Sequence, residues 1–204
     1  IGDGKLLSQL TKQDIVYDFR TNDIKGGGEG APLTPIFHQL IADKYKLDLP
    51  ICFLNIGGIS NITIVEELGK SDNLTSKDIG PGNCLIDTWV RKNSNQNFDQ
   101  DGLLASKGIR DVIIFEQAQE LFSNRLNQDT STFDINDFDV SFARGLSLEN
   151  GAATLTEFTA KIISVALLSL KTKLKKKIKK ILVCGGGRKN RYLINNIKQD
   201  ISKD

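Results

Sequence analysis

At 204 residues, 39% apolar and 25% charged, with a net charge of +2, the chain is sized for one large or two small globular domains. The near-neutral balance gives no reason to expect a nucleic-acid or acidic-membrane partner. Three widely spaced cysteines (Cys52, Cys84, Cys184), with no Cys-x-x-Cys pair, suit a reducing cytoplasm rather than a disulfide framework.

No apolar run is read as reaching membrane-spanning length, and no basic-then-apolar leader opens the chain. With no methionine and Ile1 at its start, the sequence reads as an internal piece of a longer protein. A short helix is expected over Lys5–Leu10 and a strand over Ile15–Phe19. The glycine-rich stretch between Lys25 and Pro35 reads as a loop. It lacks the Gly-x-Gly-x-x-Gly spacing and runs into Pro32, which argues against a dinucleotide site. The helix after it carries Ile36, Phe37, Leu40 and Ile41 on one face. His38, the only histidine, falls in that helix and reads as structural or exposed, not catalytic.

From Pro50 the pattern becomes strand-like. Ile51–Leu54 is a continuous apolar run, expected of a strand buried on both faces. Gly57-Gly58 is a hairpin signal, and the alternation of Asn61, Ile62, Thr63 and Ile64 predicts a half-buried return strand. A third strand should end near Asp78-Ile79. Gly80-Pro81-Gly82-Asn83 then opens a helix carrying Leu85, Ile86, Trp89 and Val90. Helices are expected over Val112–Leu126 and Ala152–Leu174, separated by an acidic insert, Asn127–Asp139. A strand over Lys180–Cys184 runs into Gly185-Gly186-Gly187 and a helix from Lys189. The lysine run Lys171–Lys180 retains Leu174 and Ile178 as an apolar stripe and has no interleaved aromatics. It reads as a solvated helix end.

Three glycine-rich junctions therefore recur at strand ends: Gly57-Gly58, Gly80 with Gly82, and Gly185 to Gly187. The first can bring bare N–H groups to an anion beside Ser60 and Asn61. The second puts Asp78 at a strand end before a helix N-terminus whose free N–H groups favour anions. The third lets a flat uncharged group lie on bare backbone. Each is weak alone. Together they suggest a nucleotide held between a phosphate hairpin and a glycine shelf. No Gly-x-x-x-x-Gly-Lys-Ser/Thr is present, so this is not a P-loop protein.

Across nearly its whole length the chain resembles the anhydro-N-acetylmuramic acid kinases. The resemblance rests on Ile1-Gly2-Asp3-Gly4, Asp18-Phe19-Arg20 with Asp23, Gly27 to Leu33 through His38, and Asn55 to Thr63. It continues in Asp78 to Asn83 with Asp87-Thr88-Trp89, Asp101-Gly102, Ala153 to Ala160, and Cys184 to Gly187 with Asn190. The resemblance implies an α/β, actin/hexokinase-like ATPase fold of ribonuclease-H-like lobes. Residues 1–49 would close a first lobe, and residues 50–204 would form most of a second. It implies an ATP- and Mg2+-dependent kinase of cell-wall recycling that opens 1,6-anhydro-N-acetylmuramic acid with water and phosphorylates O6.

By the same resemblance Asp78 is the catalytic base, with Asp23 its runner-up, and Arg20, Asp23 and Glu29 are substrate contacts. Gly57, Gly58, Asn61, Gly80, Gly82, Gly185, Gly186, Gly187 and Asn190 would bind ATP. No protein metal ligands are assigned, and a homodimer is compatible. Glu29 stands where the family has Gln, Ile79 where it has Thr, and Asp129-Thr130-Ser131-Thr132 where it has Pro-Pro-Lys-Ser. The family's first phosphate loop belongs upstream of Ile1 and its last strands beyond Asp204, so the chain alone is expected to be nearly inactive. Two other readings stay open: a non-catalytic nucleotide-binding domain, and a kinase of the same superfamily with another acceptor.

Overall fold

The computed structural model describes residues 3–27, 30, 33–69, 74–126, 133–174 and 177–202. Asp3 caps helix α1 (Gly4–Thr11), its carboxylate accepting from the Lys5 and Leu6 N–H groups at 2.9 and 3.1 Å. The strand expected over Ile15–Phe19 does not form. Residues 14–18 find no strand partner, and Phe19 instead opens α2 (Phe19–Lys25). A run of β-favouring residues makes a strand only where a neighbour completes its ladder.

Helix α3 (Pro35–Lys44) forms as expected but turns most of its apolar face outward, with only Ile41 of the four named residues packing on the core. Ile36, Phe37 and Leu40 point to solvent, and the helix packs through Ala42 and His38. The His38 ring lies flat on Phe53, centroids 4.5 Å apart, and its Nδ1 is buried without a partner. Burial pushes the imidazole below its ordinary value, so the folded state holds the neutral ring. Stability from this site is complete above the unfolded imidazole's ordinary pKa of about 6.5. It is lost as pH falls through the lowered folded value. His38→Phe should flatten that acid limb, so its urea midpoint should fall less than wild type's between pH 7 and pH 5. Equal falls would show that His38 does not carry the effect.

Four strands make one mixed sheet: β1 (Ile51–Ile56), β2 (Ile59–Val65), β3 (Leu74–Pro81) and β4 (Lys180–Cys184). The order is β3-β2-β1-β4, antiparallel except for the parallel β1–β4 pair. As its apolar run requires, β1 is buried on both faces. The second strand is more enclosed than its alternation predicted, because α3 covers its other face. Thr63 is 1% exposed and satisfies its hydroxyl with Ser76 Oγ at 3.2 Å.

The opposite face is covered by the long helix α6 (Leu148–Lys173) and by α7 (Arg191–Ser202). Cys52, Leu54, Ile56, Ile62, Ile64 and Ile79 meet Ile163, Leu167, Leu193 and Ile197 there. Each fully buried isoleucine contributes about 1.5–3 kcal/mol, so this layer outweighs any single cap or ion pair. Leu174 and Ile178 extend it, as the apolar stripe through the lysines suggested. A second core packs α4 (Cys84–Asn93) and α5 (Val112–Leu126) against α6. There Trp89 stacks over Gly151 and donates from Nε1 to the Leu148 carbonyl at 2.9 Å.

Contrary to the sequence reading, Leu148–Leu170 is long and apolar enough by composition to cross a membrane. Within this fold most of that stretch is buried, and it is the central core helix. It starts four residues earlier than periodicity predicted because Ser147 Oγ accepts from the Asn150 N–H at 3.2 Å and caps it. The proposed Asp129–Thr132 replacement lies outside the described residues. Of the insert, residues 133–139 are described and contain a short 3-10 turn, Ile135–Asp137.

Candidate active site

The glycine hairpin is built from the inside. Gly57 N–H donates to the Ile59 carbonyl at 3.2 Å and tightens the turn between β1 and β2. The chain then returns along β3, and the start of α4 docks beneath it. Gly82 and Cys84 N–H groups donate to the Gly58 carbonyl at 2.8 and 3.1 Å, and Asn83 N–H donates to the Gly57 carbonyl at 2.7 Å. A Cβ on Gly82 would collide with the Gly57 carbonyl, so only glycine fits at this crossing. These bonds engage the Gly82, Asn83 and Cys84 N–H groups at the start of α4 with hairpin carbonyls. The Gly58 N–H takes no part in these bonds, and Gly58 is exposed.

Asp78 lies within β3, three residues before its end, not at the strand terminus. Ser60 pairs with Gly80 and Asn61 with Asp78, so Ile79 is an extra residue and the strand bulges there. Bulges re-aim side chains and recur beside active sites. Gly80 completes the distortion at φ 141°, where its bare Cα lies against Ile162 and Phe122. Asp78 Oδ2 accepts from the Phe133 N–H at 3.0 Å. It also borders a cleft of about 280 Å3 between β3, α5 and α6, with Gln119, Lys161 and Ile162 among its walls. The register places Cys184, Asn55, Asn61 and Asp78 in one row across all four strands.

The third glycine turn follows β4. Gly185 takes φ 80°, and a Cβ there would strike the Ile56 carbonyl and Asn55 Oδ1. Gly187 is buried against Ile56 in the same way, while Gly186 is exposed with ordinary room around it. Asn190 is 6% exposed, and its Oδ1 accepts from the Leu193 N–H at 2.9 Å, capping α7. Thus α7 begins two residues later than the Lys189 start expected from sequence. Gly186 and Asn190 line a cavity of about 330 Å3 together with Asn83, Asp87, Phe98 and Asp101.

Sequence reasoning gave those last four residues no role. One signal was available in the Asp101-Gly102 pair: Gly102 takes φ 78° and has no room for a Cβ beside Asn190. Burial raises the Asp87 carboxyl above its ordinary value, an effect that Arg91 opposes and the Asp99 carboxylate adds to. Asp99 itself is committed, accepting from Leu104 N–H at 2.7 Å and Ala105 N–H at 3.0 Å. Among the described residues no three His, Cys, Asp or Glu side chains gather as a metal site.

Arg20 and Asp23 act on the glycine-rich loop. Arg20 Nη1 donates to the Gly30 carbonyl at 3.2 Å, and the Gly30 N–H donates to Asp23 Oδ2 at 2.8 Å. The two side chains grip one residue from both sides, and no described contact joins them to Asp78. Glu29 lies outside the described residues.

The hairpin, the bulged aspartate and the glycine shelf thus lie at one end of a single sheet. The family model described as anhydro-N-acetylmuramic acid kinase matches residues 1–203. Among curated relatives, the anhydro-N-acetylmuramic acid kinase of Pelagibacter ubique is 48% identical over 100% of this chain and 54% of that protein. The protein of the same name from Zymomonas mobilis is 40% identical over 93% of the chain and 50% of its own length. That of Rhodopseudomonas palustris is 36% identical over 99% and 53%. The chain spans about half the length of the curated relatives it matches. It belongs to the anhydro-N-acetylmuramic acid kinase family.

Proposed function

We propose that this chain supplies the nucleotide-binding lobe and the catalytic base of an ATP-dependent kinase. That kinase opens 1,6-anhydro-N-acetylmuramic acid and phosphorylates it to N-acetylmuramic acid 6-phosphate. The carrying observation is the bulge that sets Asp78 beside the glycine hairpin in a matched family segment. The adenosine would occupy the 330 Å3 cavity against Gly186, Asn190 and the Phe98 ring. The phosphates would extend towards Gly57, Gly58 and Asn61. Gly80, Gly82, Gly185 and Gly187 would contribute by letting the backbone segments approach closely.

In the reaction Asp78 takes a proton from water as the water oxygen bonds to C1 of the sugar. The C1–O6 bond breaks, O6 attacks the γ-phosphorus, and ADP leaves. Mg2+ would enter as part of the MgATP substrate, in keeping with that ion's habit of keeping waters and nucleotide oxygens as ligands. Arg20 and Asp23 would order the loop that carries Glu29 against the sugar.

Residues 1–49 would complete one lobe and residues 50–204 form most of the next. Three free thiols, with Cys52 and Cys84 pushed by burial to about 12 and about 11, fit a reducing cytoplasm. Acceptor profiling tests the assignment. A family-length protein carrying these residues should consume ATP with the anhydro sugar and not with acetate or glycerol. Equal turnover with those acceptors would favour the other-acceptor reading, and ATP binding without turnover the non-catalytic one.

A further inference from the structure

We propose that Phe122 is a positioning residue for the Asp78 carboxylate, holding with one ring both backbone segments that set it. This inference rests on the assignment of Asp78 as the base. Phe122 stands near the C-terminal end of α5 and is 6% exposed. On one side it meets the β3 bulge, where a Cβ on Gly80 would stand 3.0 Å from Phe122 Cζ. On another it meets the insert. The Phe133 and Phe138 ring centroids each lie 6.1 Å from that of Phe122 and 5.6 Å from one another. Aromatic rings attract at these spacings.

The two contacts converge on one side chain. Asp78 precedes Gly80 by two residues, so the bulge decides its direction. Phe133 donates its N–H to Asp78 Oδ2 at 3.0 Å. That donor is backbone, so its place depends on how the Phe133 ring is anchored. A carboxylate with one oxygen held in this way keeps a fixed heading and presents the other to the water's proton. Phe122 is also the shared wall of two cavities of about 320 and 280 Å3. A shorter side chain would join them, and the bulge and the insert would lose their common support.

The test is steady-state kinetics on a family-length protein carrying these residues, with denaturant midpoints alongside. Misplacing a reacting group by about 1 Å can cost about a hundredfold in rate, so Phe122→Leu should lower kcat by about tenfold to a hundredfold. KM for ATP should hold. Phe133→Leu, at a half-buried position outside the helices, should show the same split even if Phe122→Leu folds poorly. Phe158→Leu removes the ring that meets Phe122 edge-on from α6, and leaves the Phe122 contacts to Gly80 and Phe133 in place. It should lose stability and keep kcat. In an Asp78→Asn background Phe122→Leu should cost nothing further, because the group it positions is gone. An unchanged kcat in Phe122→Leu, a loss of the same size in that background, or an equal loss from Phe158→Leu would overturn the role of Phe122. Wild-type kcat in Asp78→Asn alone would overturn the base assignment and this inference with it.

Discussion

Asp78→Asn should lower phosphoryl transfer to the anhydro sugar by about 10²–10⁴-fold, the usual worth of a positioned general base. ATP affinity should stay unchanged. The substitution is nearly isosteric, and an amide oxygen can still accept from the Phe133 N–H that now bonds Asp78 Oδ2. The bulge at Ile79 and the packing of Gly80 are backbone features that it does not touch. The loss should therefore fall on kcat, with KM for ATP held. Steady-state kinetics of a family-length protein carrying the change will show this. A kcat within a factor of ten of wild type would mean that another group takes the proton.

The second large effect is on the frame. Gly82→Ala should destabilise the chain by about 3 kcal/mol, the upper part of the range for forced overpacking. The new methyl would fall on the Gly57 carbonyl and crowd Ser60 Oγ, while three short hydrogen bonds hold hairpin and helix together there. Nothing flexible can move aside, because the obstacle is backbone. Gly186→Ala is the contrasting change. Its methyl meets only Asn83 Nδ2, at 3.7 Å, so stability should be kept while nucleotide affinity falls. Denaturant midpoints and ATP titrations separate the two. A Gly82→Ala chain of wild-type stability would show that the hairpin is not anchored through this crossing.

Much of the fold was legible because its signals are local. The apolar run Ile51–Leu54, the Gly57-Gly58 turn and the periodicity from Ala152 each decide their element within a few residues. The misreadings arose where distant partners decide. Ile15–Phe19 carries a strand pattern but meets no strand. The apolar face of α3 is outward because His38 finds Phe53. Alternation in β2 understated its burial, since α3 covers the face that a two-layer sheet would leave wet.

At the site, the sequence pointed to the glycines but not to what each does. Gly82 and Gly187 serve close packing, whereas Gly186 remains open and Gly58 is exposed beside Ile135. Asp78 was expected at a strand end and lies three residues inside it, because a bulge leaves no mark in composition. The place of Asp87 and Phe98 in the cavity became visible only once the fold put them beside the glycine turns.

We propose that these residues belong to a kinase that both hydrolyses the anhydro ring and phosphorylates O6. The most direct measurement is product analysis after incubating a family-length protein carrying them with MgATP and 1,6-anhydro-N-acetylmuramic acid. The expected result is one ADP for each reducing sugar formed, with the phosphate on O6. ADP with free phosphate and intact anhydro sugar, or a phosphorylated sugar that keeps its anhydro bridge, would contradict it.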